Sequence, residues 1–98
     1  MARRVIFSAT ASNNIVDIAD WIGAESPLAA SKVAEEVIAK AESLDEMAER
    51  GRRLKDVDGI ETRQILAFNY RIIYQIYQSE VVIMTIVHTS QDFEIEKT

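Results

Sequence analysis

Basic residues crowd into one short stretch of this sequence, RGRRLK at positions 50–55. It holds Arg50, Arg52, Arg53 and Lys55 and contains no acidic residue. Guanidinium groups bind phosphate and carboxylate oxygens in a bidentate manner, so this patch is suited to a nucleic acid or to an acidic protein segment. The same residues would also suit a solvated loop near a helix end, where cations complement the helix dipole. The sequence leaves both interpretations open.

An arginine and a histidine occupy the apolar carboxy-terminal third of the chain. Arg71 lies near the start of YRIIYQIY, and His88, the only histidine, ends EVVIMTIVH. Cleavage of RNA requires a base for the 2′-hydroxyl, donors for the charge that develops on the phosphate, and an acid for the leaving oxygen. Arg71 could stabilise that charge, and His88 could act as acid or base. Alternatively, Arg71 forms bonds across a hairpin on a partly exposed strand face, and His88 bonds a neighbouring backbone group.

The composition restricts the range of functions. The chain has no cysteine and one histidine, which excludes thiolate metal sites and argues against an all-protein zinc site, so no metal or cofactor is expected. A net charge of −5 argues against extensive phosphate binding, so any contact with nucleic acid must be local. The first apolar run ends at Phe7, too early for an export signal or a membrane segment. We expect a soluble, cytoplasmic protein with no membrane partner.

Two amphipathic helices are predicted in the first half of the chain. Ser8 or Thr10 can cap a helix that ends near Gly23, and Ser26-Pro27 predicts the start of a second helix. Apolar residues three and four positions apart give each helix one stripe that should face the core. The stripes are Ala11, Ile15, Ile18, Ala19 and Ile22 in the first helix, and Ala30, Val33, Ala34, Val37, Ile38, Ala41 and Leu44 in the second. The short connection between the helices predicts an antiparallel hairpin.

Four segments have the composition of β-strands. Residues 3–7 are short and β-branched and predict a first strand. After turn chemistry at residues 56–59, residues 61–66, 70–77 and 80–88 predict three further strands, whose short connections imply antiparallel neighbours.

Helices gathered before a run of strands predict an α+β fold of order β-α-α-β-β-β. We expect one domain over residues 1–98, with the helical hairpin packed on one face of a small, mainly antiparallel sheet. Side chains alternate across a strand, so the third strand presents two faces. Tyr70, Ile72, Tyr74 and Ile76 share one face, whereas Arg71, Ile73, Gln75 and Tyr77 share the other, less apolar one. Trp21, Tyr74 and Tyr77 are expected to be core or interface aromatics.

The order of these elements and several short sequences together resemble the RelE/ParE superfamily of toxins from bacterial toxin–antitoxin modules. The likeness covers nearly the whole chain. It consists of a first strand running into a helix, SPLAASKVAEEVIAKAESL as the second helix, the pair Gly51-Arg52, then Arg63, the YRIIY stretch and a last strand that ends in VH. The resemblance implies a RelE/ParE-like fold and a cognate antitoxin that neutralises the toxin in a hetero-oligomer.

The resemblance also implies one of two activities. RelE-like members cut messenger RNA at the ribosome with arginines and lysines on the sheet face, whereas ParE-like members inhibit DNA gyrase. Thr62 and Gln64 stand where RelE-like nucleases tend to place lysines, and the acidic Asp92, Glu94 and Glu96 follow the last strand. These departures favour the ParE-like branch, with gyrase as the target and no hydrolytic activity.

Two alternatives stay open beside gyrase inhibition. One is a RelE-like messenger RNA interferase acting with the ribosome, in which Arg71 and His88 would be catalytic. The other is a degenerate toxin that only binds its antitoxin, because Thr89, Ser90 and Gln91 replace the arginines typical of the ParE ending. The residues expected to contact the target or the antitoxin are Arg50, Arg52, Arg53, Lys55, Arg63, Arg71 and His88.

Overall fold

A computed structural model describes residues 2–90, in which two helices lie on one face of a five-stranded sheet. The strands are β1 (Arg4–Phe7), β2 (Arg52–Arg53), β3 (Thr62–Ala67), β4 (Tyr70–Ile76) and β5 (Glu80–His88), and the helices are α1 (Ala9–Gly23) and α2 (Pro27–Glu42). The sheet order is β1-β5-β4-β3-β2, with β1 parallel to β5 and the other pairs antiparallel. The predicted α+β architecture is confirmed. The two-residue edge strand β2 was not predicted.

Side-chain caps fix where both helices begin. The Ser8 hydroxyl accepts a hydrogen bond from the Ala11 amide at 3.0 Å, and the Ser26 hydroxyl accepts one from the Ala29 amide at 3.2 Å. Each such cap typically stabilises a helix by about 1 kcal/mol. Of the two candidate caps for α1, Ser8 is therefore the one used, and Pro27 follows Ser26 as predicted.

The hydrophobic core lies between the helical hairpin and the sheet face that it covers. The buried residues of this core are Ala11, Val37, Ala41, Leu44, Ala48, Ile65, Ala67, Ile72, Tyr74, Val81, Ile83 and Ile86. Tyr70 and Ile76 pack against them, so the predicted apolar face of β4 is the one turned to the helices. Tyr74 is a core residue as expected, whereas Trp21 is 80% exposed and contributes nothing to the core.

The start of α1 is tied to β5 beyond the end of β1. β5 carries one extra residue, Met84, relative to β4, and the Ser8 hydroxyl donates to the Met84 carbonyl at 2.8 Å. The Asn14 amide oxygen accepts hydrogen bonds from the Ile86 amide and the Thr85 hydroxyl, both at 2.9 Å. These bonds satisfy β5 backbone groups where β1 no longer runs beside it. They also place α1 alongside the ends of β4 and β5.

Two 3₁₀ turns, Ser43–Asp45 and Ala48–Arg50, connect α2 to β2. The second of them delivers the chain to the outer edge of the sheet, next to β3. The helices among residues 2–90 are too short or too polar to cross a lipid bilayer.

Candidate functional site

The basic stretch 50–55 runs along the β2 edge of the sheet. Arg50, Arg52, Arg53 and Lys55 are all exposed there. Beside them lies a shallow cavity of about 500 Å³. Its lining residues are Lys40, Arg50, Gly51, Arg52, Gln64, Ile65 and Leu66. Cations around an open depression are suited to a carboxylate or phosphate group of a partner.

Acidic neighbours neutralise part of this basic stretch. Arg53 Nη2 lies 3.0 Å from an Asp56 carboxylate oxygen, and Arg53 Nη1 lies 3.9 Å from one of Glu61. The hydrogen bond that Arg53 donates to Asp56, together with the negative charge of that carboxylate, raises the pKa of Arg53 above its ordinary value. Arg50 donates to the Ser43 hydroxyl. The positive potential of this edge therefore depends mainly on residues other than Arg53.

Arg63, on the neighbouring strand β3, holds the turn that leads into β2. Its Nε donates to a Glu61 carboxylate oxygen at 2.6 Å, and its Nη1 donates to the carbonyls of Glu49 at 2.9 Å and Gly51 at 2.8 Å. The side chain is 18% exposed. Arg63 thus fixes the direction in which the basic stretch leaves the second 3₁₀ turn. Its expected contact with a target or antitoxin stays a prediction.

The Tyr74 hydroxyl links the same turn to the core. It donates to the Ala48 carbonyl at 2.6 Å and accepts from the Gly51 amide at 3.1 Å. The side chain is fully buried, and this burial raises the pKa of Tyr74 above its ordinary value of 10.0. Both backbone groups of the turn therefore depend on one phenol for their hydrogen bonds.

We expect Tyr74→Phe to lower the free energy of unfolding by about 1–3 kcal/mol, because the buried groups of Ala48 and Gly51 would lose their partner. The raised pKa of Tyr74 also makes the stability depend on pH in the alkaline range. The folded protein keeps a proton that the unfolded chain releases near pH 10, so this contribution is present below about pH 10 and is lost as the pH rises further. Urea unfolding at about pH 8 and about pH 11 measures both effects.

Tyr77→Phe is the matched control, since Tyr77 is 38% exposed. Tyr77→Phe should lose as much stability at alkaline pH as the unmodified protein does. Tyr74→Phe should lose less stability over the same pH range. Equal stability of the two variants, or an unchanged alkaline loss in Tyr74→Phe, would contradict the assigned role.

Arg71 lies in the central strand β4 on the face turned away from the helices. Its cross-strand neighbours are Leu66 on β3 and Val87 on β5. It is only 7% exposed, so the expectation that Arg71 occupies a partly exposed position is wrong. Other residues of β3 and β4 on this face are buried and uncharged, namely Thr62, Gln64, Ile73 and Gln75. Among residues 2–90, the side chains of β3 and β4 that share this face with Arg71 are therefore neutral.

His88 ends β5 on the opposite side of the sheet. It pairs in register with Tyr70, and the two rings meet edge to face with centroids 5.5 Å apart. Its Nδ1 lies 2.8 Å from the Ser90 hydroxyl and accepts from the Ser90 amide at 3.1 Å. Tyr70 packs towards the helix layer, so His88 shares that side while Arg71 faces the other. The fold does not bring Arg71 and His88 to one phosphate.

A second cavity, which we call the α1 cleft, lies between α1 and the ends of β4 and β5 and has a volume of about 630 Å³. Its lining residues are Asn14, Asp17, Ile18, Trp21, Tyr70, Ile86, His88 and Ser90. Sequence reasoning selected only His88 from this set. The signal available in the sequence was a tryptophan, Trp21, beside the apolar stripe of α1. Helical periodicity does not show whether such a tryptophan is exposed or half-buried.

Among residues 2–90, no three histidine, cysteine or acidic side chains are grouped so that they could hold a metal ion. A family model described as the ParE toxin of the type II toxin–antitoxin system parDE matches residues 5–93, nearly the full length of the chain. This chain belongs to the ParE toxin family. No curated protein sequence gives a match to it.

Solved structures support the same fold for this ParE family member. It matches a chain of the chromosomal ParDE TA system from P. aeruginosa with a TM-score of 0.71 and 17% identity, over 89% of this chain and 96% of that one. The archaeal RelE–RelB complex from Pyrococcus horikoshii OT3 gives a TM-score of 0.67 and 11% identity, over 94% and 100% of the two chains. The toxin–antitoxin complex RelBE2 from Mycobacterium tuberculosis gives 0.64 and 21%, over 93% and 95%. At these identities the likeness concerns the fold alone.

Within this ParE family member, the predicted site residues fall into three places. The basic stretch and Arg63 come together at the β2 edge, Arg71 lies on the sheet face away from the helices, and His88 lines the α1 cleft. The acidic positions 92, 94 and 96, which in the sequence favour the ParE-like branch, lie outside the described residues.

Proposed function

We propose that this ParE family toxin inhibits DNA gyrase and is neutralised by a cognate antitoxin. The observation that carries the proposal is the ParE family match over residues 5–93. The geometry of the sheet adds independent support, because it argues against the main alternative, cleavage of messenger RNA.

A ribonuclease needs its acid, base and charge-stabilising donors within reach of one phosphate. Arg71 is only 7% exposed, and His88 lies on the other face of the sheet. Loss of one well-placed donor typically costs about 100- to 1,000-fold in rate. A site assembled from these two residues would therefore be a poor nuclease.

The β2 edge favours a protein partner. Exposed arginines around the shallow cavity suit an acidic antitoxin segment, and charge complementarity of this kind speeds association. Among the solved structures with this fold are an archaeal RelE–RelB complex and the toxin–antitoxin complex RelBE2. A neutralising antitoxin, bound in a hetero-oligomer, is the corresponding expectation for this chain.

Two assays on one purified sample test the proposal. DNA supercoiling by gyrase should be inhibited, and messenger RNA on ribosomes should stay intact. The double variant Arg52→Gln/Lys55→Gln should bind antitoxin more weakly, by about tenfold, whereas Lys32→Gln on the outer face of α2 should bind normally. The antitoxin for this measurement is expected from a neighbouring reading frame that encodes a small DNA-binding protein.

Two results would overturn the assignment, and a third would overturn the proposed interface. Ribosome-dependent cleavage that Arg71→Ala abolishes would establish the RelE-like alternative. Silence in both assays, together with a tight antitoxin complex, would leave a binding module without a toxic target. Equal antitoxin binding by the double variant and Lys32→Gln would remove the β2 edge from the interface.

A further inference from the structure

We propose that the α1 cleft binds an arginine side chain of a partner polypeptide. This inference goes beyond the proposed function, because it concerns the helix side of the molecule and does not depend on whether gyrase is the target.

One wall of the cleft combines a carboxylate with an aromatic ring. Asp17 and Trp21 are four residues apart on α1, so they lie one above the other on the same helix face. Both are exposed, and the Trp21 side chain is 80% accessible. A guanidinium group bonds a carboxylate in a bidentate manner and stacks on an indole face, so these two groups together suit arginine better than any other side chain.

The opposite wall and the floor suit the aliphatic part of that side chain. The edge-to-face pair of Tyr70 and His88 forms the far wall, and Ile18 and Ile86 line the cleft between. The Asn14 amide oxygen already accepts two hydrogen bonds from β5. Asp17 is the charged acceptor among the lining residues, while the apolar residues cover the methylene stem.

The electrostatic field around the cleft also favours a cation. α1 carries two aspartates and no lysine or arginine, and its carboxy-terminal end, with the negative pole of the helix dipole, lies at Trp21. Glu25 lines an adjoining depression that Trp21 also lines. A phosphate or carboxylate would be repelled here, which separates this surface from the cationic β2 edge.

The volume indicates a peptide segment rather than a free small cation. A cleft of about 630 Å³ is larger than one arginine side chain and lies within the usual range of ligand pockets. The occupant we infer is thus a chain segment that presents arginine next to an apolar residue, the latter covering the exposed indole of Trp21.

Trp21 is the only tryptophan, so its fluorescence reports directly on the cleft. The full chain is titrated with the peptide acetyl-Ala-Arg-Leu-Ala-amide and with the same peptide carrying citrulline, the neutral isostere of arginine. We expect a saturable change in Trp21 emission, and a dissociation constant about tenfold weaker for the citrulline peptide.

Asp17→Asn should weaken binding of the arginine peptide by about fivefold or more. Asp20→Asn is the matched control, because Asp20 is an exposed aspartate of the same helix that does not line the cleft. Both variants remove a surface charge outside the core, and equal thermal unfolding of the two would exclude a folding effect. Calorimetry with Trp21→Ala, which should also bind more weakly, provides a readout that does not depend on fluorescence.

Several outcomes would overturn the proposal. Equal affinity for the arginine and citrulline peptides would show that the guanidinium is not recognised, and equal effects of Asp17→Asn and Asp20→Asn would place the peptide elsewhere. The absence of any saturable signal would mean that the cleft takes no arginine peptide. A Trp21 emission that changes with protein concentration alone would show that a second copy of the chain covers the cleft instead.

Discussion

Replacement of Gly51 by alanine is expected to lower the free energy of unfolding by about 3 kcal/mol, since it combines overpacking with the loss of a buried hydrogen bond. The added methyl group would overlap the Tyr74 hydroxyl and would lie 2.6 Å from the Gln64 carbonyl oxygen. The backbone of Gly51 is extended, with φ −75° and ψ 159°, which every residue type can adopt. Glycine is required here for space and not for conformational freedom.

Urea unfolding of Gly51→Ala beside Gly23→Ala measures this effect. At Gly23 the nearest neighbour of an added methyl group would be Ala30 Cβ at 3.6 Å, an ordinary contact, so we expect a change within about 0.5 kcal/mol. The double variant Gly51→Ala/Tyr74→Phe should be less destabilised than the sum of its single changes, because removal of the hydroxyl relieves the closest overlap. Strict additivity, or a stable Gly51→Ala protein, would contradict the packing described here.

The second large effect is expected at Arg63. Arg63→Ala should lower the free energy of unfolding by about 2 kcal/mol, because hydrogen bonds from a charged donor are strong and two backbone carbonyls would lose their partner. Arg63→Lys should recover only part of the loss, since an ammonium group cannot span the Glu61 carboxylate and the carbonyls of Glu49 and Gly51 as the planar guanidinium does.

Arg53→Ala is the matched control for Arg63. The two arginines face each other across β2 and β3, but Arg53 is itself exposed and bonds the exposed carboxylate of Asp56, with Glu61 at 3.9 Å, so we expect no measurable change in unfolding. Chemical denaturation of the three variants distinguishes a structural arginine from a surface one. If Arg63→Ala unfolds like Arg53→Ala, the guanidinium of Arg63 does not hold the turn.

The helices and the faces of the strands could be predicted from the sequence because both follow from backbone geometry. A repeat of three and four residues places Ala11 and Val37 on the buried side of their helices. Alternation along β4 places Tyr74 and Arg71 on different faces of the sheet. Serine caps are equally local, which is why the start of α2 was predicted to the residue.

The features that were missed depend on contacts between distant parts of the chain. β2 consists of two arginines without strand propensity and exists because β3 offers a ladder to pair with. Alternation assigns Arg71 to a face but cannot state how deeply it is buried. The α1 cleft is lined by helix residues and by the end of a strand about 70 positions later in the chain. A short sequence motif cannot predict a contact between such distant residues.

The parallel pairing of β1 with β5 also dictates an order of assembly. Arg4 stands opposite Glu80, so 76 positions of chain must be gathered before the first strand can add to the last. Closing so long a loop costs more entropy than forming the local hairpins, so the meander should condense first and the amino-terminal strand should join it late. Until β1 joins, the edge of β5 that pairs with it stays exposed and unpaired. A concentrated or heated sample would be most prone to aggregate through this strand edge.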